Sequence, residues 1–277
     1  MGKKVAITDI DMADNNYVSI MGIMNVTPDS FYAGSRFQTE YDILHQAEKM
    51  LEEGADIIDI GGVSTRPGSE YVSENEEYQR VIPAIKILRQ TFGDDIVMSL
   101  DTFRPWIAKA GCDEGCAIIN DISGGCEEMY EVAAKYDVNY ILMHFIGKEG
   151  KMEENHVYHD MMKEIMEYFN EKISLLKSCG VEKIIIDPGF GFSKTVEENH
   201  YLLDNLSDLK TLGYPILAGL SRKSMLYKPL GITPEEALEA TIQANLIAVK
   251  NGADILRVHD VAEHRKAVTL LSQEKTR

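Results

Sequence analysis

The sequence predicts an α/β protein: a single-domain (β/α)8 TIM barrel carrying a short N-terminal extension. Three features predict it. Short runs rich in Ile, Val, Leu and Met alternate with longer amphipathic segments, there are eight such alternations, and the chain has 277 residues. Strand–helix alternation dictates a parallel sheet. Eight is the number of strands that closes such a sheet, and roughly 250 residues is the usual length of the closed form. Residues 1–18 are assigned to the extension and residues 19–277 to the barrel. An open doubly wound sheet would usually show a phosphate-binding glycine fingerprint after an early strand. The nearest run here, Gly61-Gly62-Val63-Ser64-Thr65, lacks that spacing.

In chain order, strands are expected at Ser19–Asn25, Asp56–Gly61, Ile96–Asp101, Ala117–Asp121, Tyr140–His144, Lys183–Asp187, Pro215–Gly219 and Asp254–Arg257. The segments between them read as helices. Tyr41–Glu53 places Ile43, Ala47, Met50 and Leu51 on one face, and Glu76–Gln90 does the same with Tyr78, Ile82, Ile85 and Leu88. Tyr158–Ser178 is the longest helical segment. Pro234–Lys250 is introduced by Thr233 and carries Glu235 and Glu236 in its first turn, a helix-start signature. A short helical run is expected at Lys223–Tyr227. The acidic stretch Glu74–Glu77 reads as solvated surface.

Composition narrows the function classes. Apolar residues make up 44% and charged residues 26%, an ordinary globular balance. Lys and Arg number 28 against 45 Asp and Glu, a formal charge of −17. Such a field repels a phosphate backbone, which argues against nucleic acid as a partner. No apolar run reaches the roughly 18–20 residues of a membrane span. The N-terminus turns acidic where an export signal would turn apolar. Cys112, Cys116, Cys126 and Cys179 do not make a zinc set and read as reduced thiols, which points to the cytoplasm.

The functional signal is positional. The strands end at Asn25, Gly61, Asp101, Asn120-Asp121, Met143-His144, Asp187, Gly219 and Arg257, and His259 follows closely. The loops Val26–Phe31, Ser64–Ser69, Pro188–Phe192 and Ser221–Ser224 come next. Singly, Asp101, Asn120 and Asp121 read as helix caps, Asp187 as a turn residue and His144 as a packed histidine. Arg66, Lys223 and Arg257 read equally well as solvated charges. Together they cluster at one end of every strand, and in a barrel those ends converge on the face where active sites lie. Arg66, Lys223, Arg257 and His259 would form a cationic patch that suits a diphosphate. Asp101, Asn120 and Asp187 are costly to bury unless a ligand offers N–H donors, as an aminopyrimidine-like heterocycle does.

These segments resemble the dihydropteroate synthase family. The resemblance runs from about Ile20 to Val261 and rests on MGIMNVTPDSF, DIGGVSTRPGS, SLDTFRP, IINDISGG, ILMHF, IIDPGFGFSKTVEEN, GLSRKSM and LRVHDV, in order. Three positions depart from the family pattern: Val63 replaces an acidic residue, Ser193 replaces a Gly or Ala, and Phe145-Ile146 follows His144. The Val63 change is expected to alter how the second loop is anchored. The resemblance implies condensation of 6-hydroxymethyl-7,8-dihydropterin diphosphate with p-aminobenzoate, with Mg2+ as cofactor and a homodimer as the usual assembly. It implies that Asp101, Asn120, Asp187 and Lys223 bind the pterin, lined by Met143, Phe192 and Gly219. It implies Asn25 on Mg2+, and Arg66, Arg257 and His259 on the diphosphate. Phe31, Thr65, Pro67, Lys223 and Ser224 would form the p-aminobenzoate pocket. Asp101, Lys223, Arg257 and His259 carry the catalytic roles. A corrinoid-dependent methyltransferase domain shares the barrel and the pterin cradle but should lack the Ser-Arg-Lys and Arg-x-His anion set. A non-enzymatic ligand-binding barrel would release no diphosphate.

Overall fold

The computed structural model describes residues 17–26, 40–63, 72–148, 151–152 and 156–275. Among them lie eight strands of one parallel sheet: β1 (Ser19–Asn25), β2 (Ile57–Gly61), β3 (Met98–Asp101), β4 (Ile118–Asp121), β5 (Asn139–Met143), β8 (Ile184–Asp187), β9 (Leu217–Ala218) and β10 (Ile255–Val258). Between β5 and β8 a small antiparallel hairpin pairs β6 (Gly147–Lys148) with β7 (Lys151–Met152). Neighbours run β8-β5-β4-β3-β2-β1-β10-β9. The two edges meet through a parallel bridge between Ile186 and Ile216, and the Ile186 N–H donates to the Pro215 carbonyl at 2.9 Å. The sheet is thus a barrel, and every predicted strand forms within two residues of its expected bounds.

Strands covered on both faces read as near-continuous apolar runs, which is why Ile184–Ile186 shows no alternation and Asp59 is the one break in Ile57–Ile60. Parity still decides the faces. Met21, Ile57, Ile118, Ile141, Ile185, Leu217 and Ile255 pack together inside the barrel. Ile20, Ile58, Leu100, Ile119, Leu142 and Ile186 belong to the larger core between sheet and helices. Because side chains repeat every two residues, stepping two positions toward each strand's C-terminus keeps the inner face. That step arrives at Asp59, Asn120, Met143, Asp187, Gly219 and Arg257.

The helices are α1 (Glu40–Glu52), α2 (Glu74–Phe92), α3 (Pro105–Asp113), α4 (Glu127–Tyr136), α5 (Met161–Ser178), α6 (Val196–Asp204), α7 (Ser224–Tyr227), α8 (Leu238–Lys250) and α9 (Val261–Lys275). Ser73 caps α2, and Thr195 with Glu198 forms a full capping box on α6. The sequence signature at Thr233-Pro234 makes a capped turn, not the start of α8. Glu236 accepts from the Thr233 N–H, and the Ala237 N–H bonds back to Pro234. Ala237 then leaves helical geometry at ψ 10°, fully buried, and α8 begins at Leu238. Of the expected extension, residues 1–18, only Tyr17 and Val18 are described; Tyr17 bonds Asp56 and Val18 joins the core. The four cysteines are free, and burial pushes the Cys112 thiol up to about 12. Among the described residues no helix is long and apolar enough to cross a membrane.

Candidate active site

Strand register builds one row of the site. Asn25 pairs with Gly61, Gly61 with Asp101, and Asp101 with Asn120. Farther round the barrel Met143 pairs with Asp187. Gly61 leaves the space between its neighbours open: a Cβ there would lie 3.5 Å from the Asp101 Cβ and 3.8 Å from Asn25 Oδ1. Gly219 does the same in front of Asp187, whose Oδ2 would be 4.0 Å from an added Cβ. Asp101, Asn120, Met143, Asp187 and Gly219 are therefore brought to the same mouth.

Arg257 lies lower than a cationic rim would. Its Nε donates to Asp59 Oδ2 and its Nη2 to Asp101 Oδ2, both at 2.7 Å. Asn120 Nδ2 donates to the same Asp59 oxygen at 3.0 Å. Asp59 was not among the sequence candidates. It is fully buried in mid-strand, one step below the strand end, and its inward parity was the available signal. Burial pushes the Asp101 carboxyl up to about 7, against the pull of Arg257 and with the help of Asp59. The two carboxylates more than offset the burial of Arg257 and keep it protonated.

On the opposite wall Asp187 Oδ1 accepts the Gly189 N–H at 2.8 Å, so the turn reading of Asp187 is correct and its Oδ2 remains for the cavity. Burial raises its pKa, while Lys223 is among the charges opposing the rise. Lys223 Nζ sits 4.2 Å from the centre of the Phe192 ring, a cation–π contact. Burial and Arg257 push Lys223 down to about 8, with Asp187 and Asp101 pulling back. Lys194, another residue the sequence reading passed over, ties this wall together. Its Nζ reaches Gly189 O and Phe192 O at 3.1 Å each, and His144 Nδ1 at 3.2 Å. His144 itself faces the outer layer against Tyr168 of α5, and burial drives its pKa to about 2. It is the packed, neutral histidine that its isolation suggested.

Above β9 and β10, Ser221 Oγ and His259 Nδ1 lie 2.9 Å apart, and the Ser221 hydroxyl also accepts the His259 N–H. Arg222, at φ +55°, turns away to pair with Asp260 at 2.7 Å. Ser224 opens α7, which is only four residues long. Asp101 and Asn120 cap no helix. Asp121 does behave as a turn residue, accepting the Ser123 N–H at 2.7 Å. Phe31, Thr65, Arg66 and Pro67 lie outside the described residues.

The acidic stretch Glu74–Glu77, the first turn of α2, is not solvated surface throughout. Glu77 is fully buried and accepts from Arg104 and, at 2.6 Å, from Thr102, the residue after Asp101. Arg104 also donates to the Val72 carbonyl at 2.7 Å, and Arg80 donates to the Gly62 carbonyl at 2.7 Å. Two arginines therefore hold the two stems of the second loop, on either side of the non-acidic Val63. Ser193 adopts φ +50° and donates to Ile146 O at 3.2 Å, which joins the other two departures from the family pattern to each other.

A sequence profile described as pterin binding enzyme matches residues 21–259. A curated dihydropteroate synthase of Clostridium beijerinckii is 42% identical over 272 residues, covering 96% of this chain and 97% of its own. A crystal structure of a Clostridium difficile dihydropteroate synthase in the presence of pteroic acid superposes with a TM-score of 0.88 at 41% identity, covering 94% of this chain and 97% of that one. A Xanthomonas albilineans dihydropteroate synthase with 4-aminobenzoic acid gives 0.86 at 37% identity, covering 94% of each chain. With the barrel, the acidic floor and the Lys223 wall in the places the motifs require, the chain belongs to the dihydropteroate synthases, transferases of folate biosynthesis within the pterin-binding enzyme family.

Proposed function

We propose that this mouth condenses 6-hydroxymethyl-7,8-dihydropterin diphosphate with p-aminobenzoate to give 7,8-dihydropteroate and diphosphate. The observation that carries the reading is the acidic floor of Asp101 and Asp187, with Asp59 beneath it and Arg257 bridging Asp59 to Asp101. Such a floor is stable beside a donor-rich ring and beside developing positive charge. Asn120, Asp187 and Lys223 bind the pterin, and Met143, Phe192 and Gly219 line its faces. The carbon–oxygen bond to the diphosphate breaks first, its electron pair leaving with the diphosphate oxygen. Positive charge delocalises into the electron-rich pterin, where Asp101 stabilises it. Arg66, Arg257 and His259 hold the departing anion; Arg257 keeps guanidinium N–H groups beyond the two it gives to carboxylates. The p-aminobenzoate nitrogen then attacks the methylene and loses a proton to water. Phe31, Thr65, Pro67, Lys223 and Ser224 shape the p-aminobenzoate pocket. A four-residue helix supplies little dipole, so the Ser224 hydroxyl is the main carboxylate contact there.

Asn25 would hold Mg2+. Its Oδ1 lies on the open Gly61 side next to Asp101, and no trio of His, Cys, Asp or Glu among the described residues could cage a metal. One neutral oxygen fits an ion that keeps waters and is shared with substrate phosphates. When bound, Mg2+ neutralises charge on the diphosphate. The free thiols fit a cytoplasmic location. Ile247 on α8 and Leu270 on α9, both exposed, fit a homodimer through those helices, which light scattering would test.

Mixing both substrates with and without Mg2+ tests the reaction. Diphosphate release with formation of dihydropteroate is expected. Absence of release under every condition would overturn the reading, and methyl transfer from methyltetrahydrofolate to a corrinoid would replace it.

A further inference from the structure

Beneath the residues that face the substrate lies a second polar layer, made by Asp59 of β2. Asp59 Oδ2 accepts twice, from Arg257 Nε at 2.7 Å and from Asn120 Nδ2 at 3.0 Å, while its Oδ1 is buried with no partner. Ser99, its register partner on β3, is equally buried, and its hydroxyl likewise has none. The consequence falls on Asn120. The Asp59 oxygen that faces Asn120 already accepts from Arg257 Nε, so the side of the Asn120 carboxamide turned toward it is its NH2. The other side, Oδ1, is then the atom left for the cavity. Asp101 and Asp187 set carboxylate oxygens beside it, so acceptors outnumber donors on this part of the floor.

We propose that Asp59 is a positioning residue that determines specificity: it fixes the polarity of the Asn120 carboxamide and so selects a heterocycle whose edge consists of N–H donors. The proposal rests on the pterin reading of the site. A 2-amino-4-oxopteridine offers an exocyclic amine and a ring N–H to such a floor. A 2,4-dioxopteridine replaces the amine with a carbonyl and meets acceptors with an acceptor. A site built to hydrogen-bond one group rejects the analogue lacking it strongly, because buried polar groups are left unpaired. In an Asp59→Asn variant the side chain can donate, so the Asn120 amide is free to turn over and the floor loses its excess of acceptors.

Calorimetric titration of pterin and lumazine, the 2-amino and 2-oxo pteridines, tests this. Wild-type protein is expected to favour pterin by about a hundredfold, and D59N to lose about tenfold of that preference. N120A should lose a similar factor, and the double variant should lose no more than either single one, since the two residues act as one unit. A general loss of packing would weaken both ligands and leave the ratio intact. Should D59N not fold, Asp59→Ser replaces it, and a wild-type ratio in that variant overturns the proposal. D59N with the wild-type ratio overturns it as well, while leaving the pterin reading standing. Wild-type protein that binds neither pteridine overturns both.

Discussion

Burial gives Asp101 and Lys223 the opposite of their ordinary behaviour. Asp101 is pushed up to about 7 and Lys223 down to about 8, so each titrates near neutrality. The account needs Asp101 ionised, to face a cation, and Lys223 protonated, to hold the pterin. Asp101 is ionised only above its pKa and Lys223 charged only below its own. The pH profile of kcat/KM for the pterin diphosphate is therefore expected to be a narrow bell, rising through about 7 and falling above about 8. A profile flat from pH 5 to 9 would remove one or both groups from the reaction. Asp59 sits directly below this pair of residues in the chain of contacts, bonded to the same Arg257 as Asp101. It was legible as a charged residue inside Ile57-Ile58-Asp59-Ile60, at inward parity with Gly61, but strand ends draw attention away from a residue one layer deeper.

Between elements, the contacts that hold the site are those a linear reading resolves least. The periodicities that find strands and helices depend on near neighbours. The Glu77–Arg104 pair joins α2 to the segment before α3 across 27 residues, and Lys194 reaches His144 across 50. Neither shows in a local pattern, so Glu77 reads as one more acid in a charged first turn. The β6–β7 hairpin has two residues per strand, too few for alternation to register. The capped turn at Thr233 was recognised by its chemistry, yet only burial of Ala237 decides that the helix waits until Leu238. Removing one member of a buried pair leaves an uncompensated charge. Glu77→Ala is accordingly expected to cost about 3–5 kcal/mol in urea or thermal unfolding. A loss under about 1 kcal/mol would mean that Arg104 finds other partners, as an exposed pair would allow.

For the whole molecule, the barrel explains why a reading of strand ends came so close. Parallel strands put all their C-termini on one face, and period-two parity sends alternate residues inward, so Asn25, Asp101, Asn120, Met143, Asp187 and Gly219 share a mouth without further design. The same topology places Arg257 deep between two carboxylates, because β10 lies next to β1 and only one strand away from β2. Arg257 is thereby enclosed by acids, and the floor stays suited to positive charge on the ligand. The central claim is that this floor lets the carbon–oxygen bond ionise before the amine attacks. Positional isotope exchange measures it: pterin diphosphate labelled with 18O at the bridging oxygen is incubated with enzyme and Mg2+ but no p-aminobenzoate. Scrambling of the label into non-bridging positions is the predicted result. Product formation on adding p-aminobenzoate, with no scrambling before it, would contradict the claim.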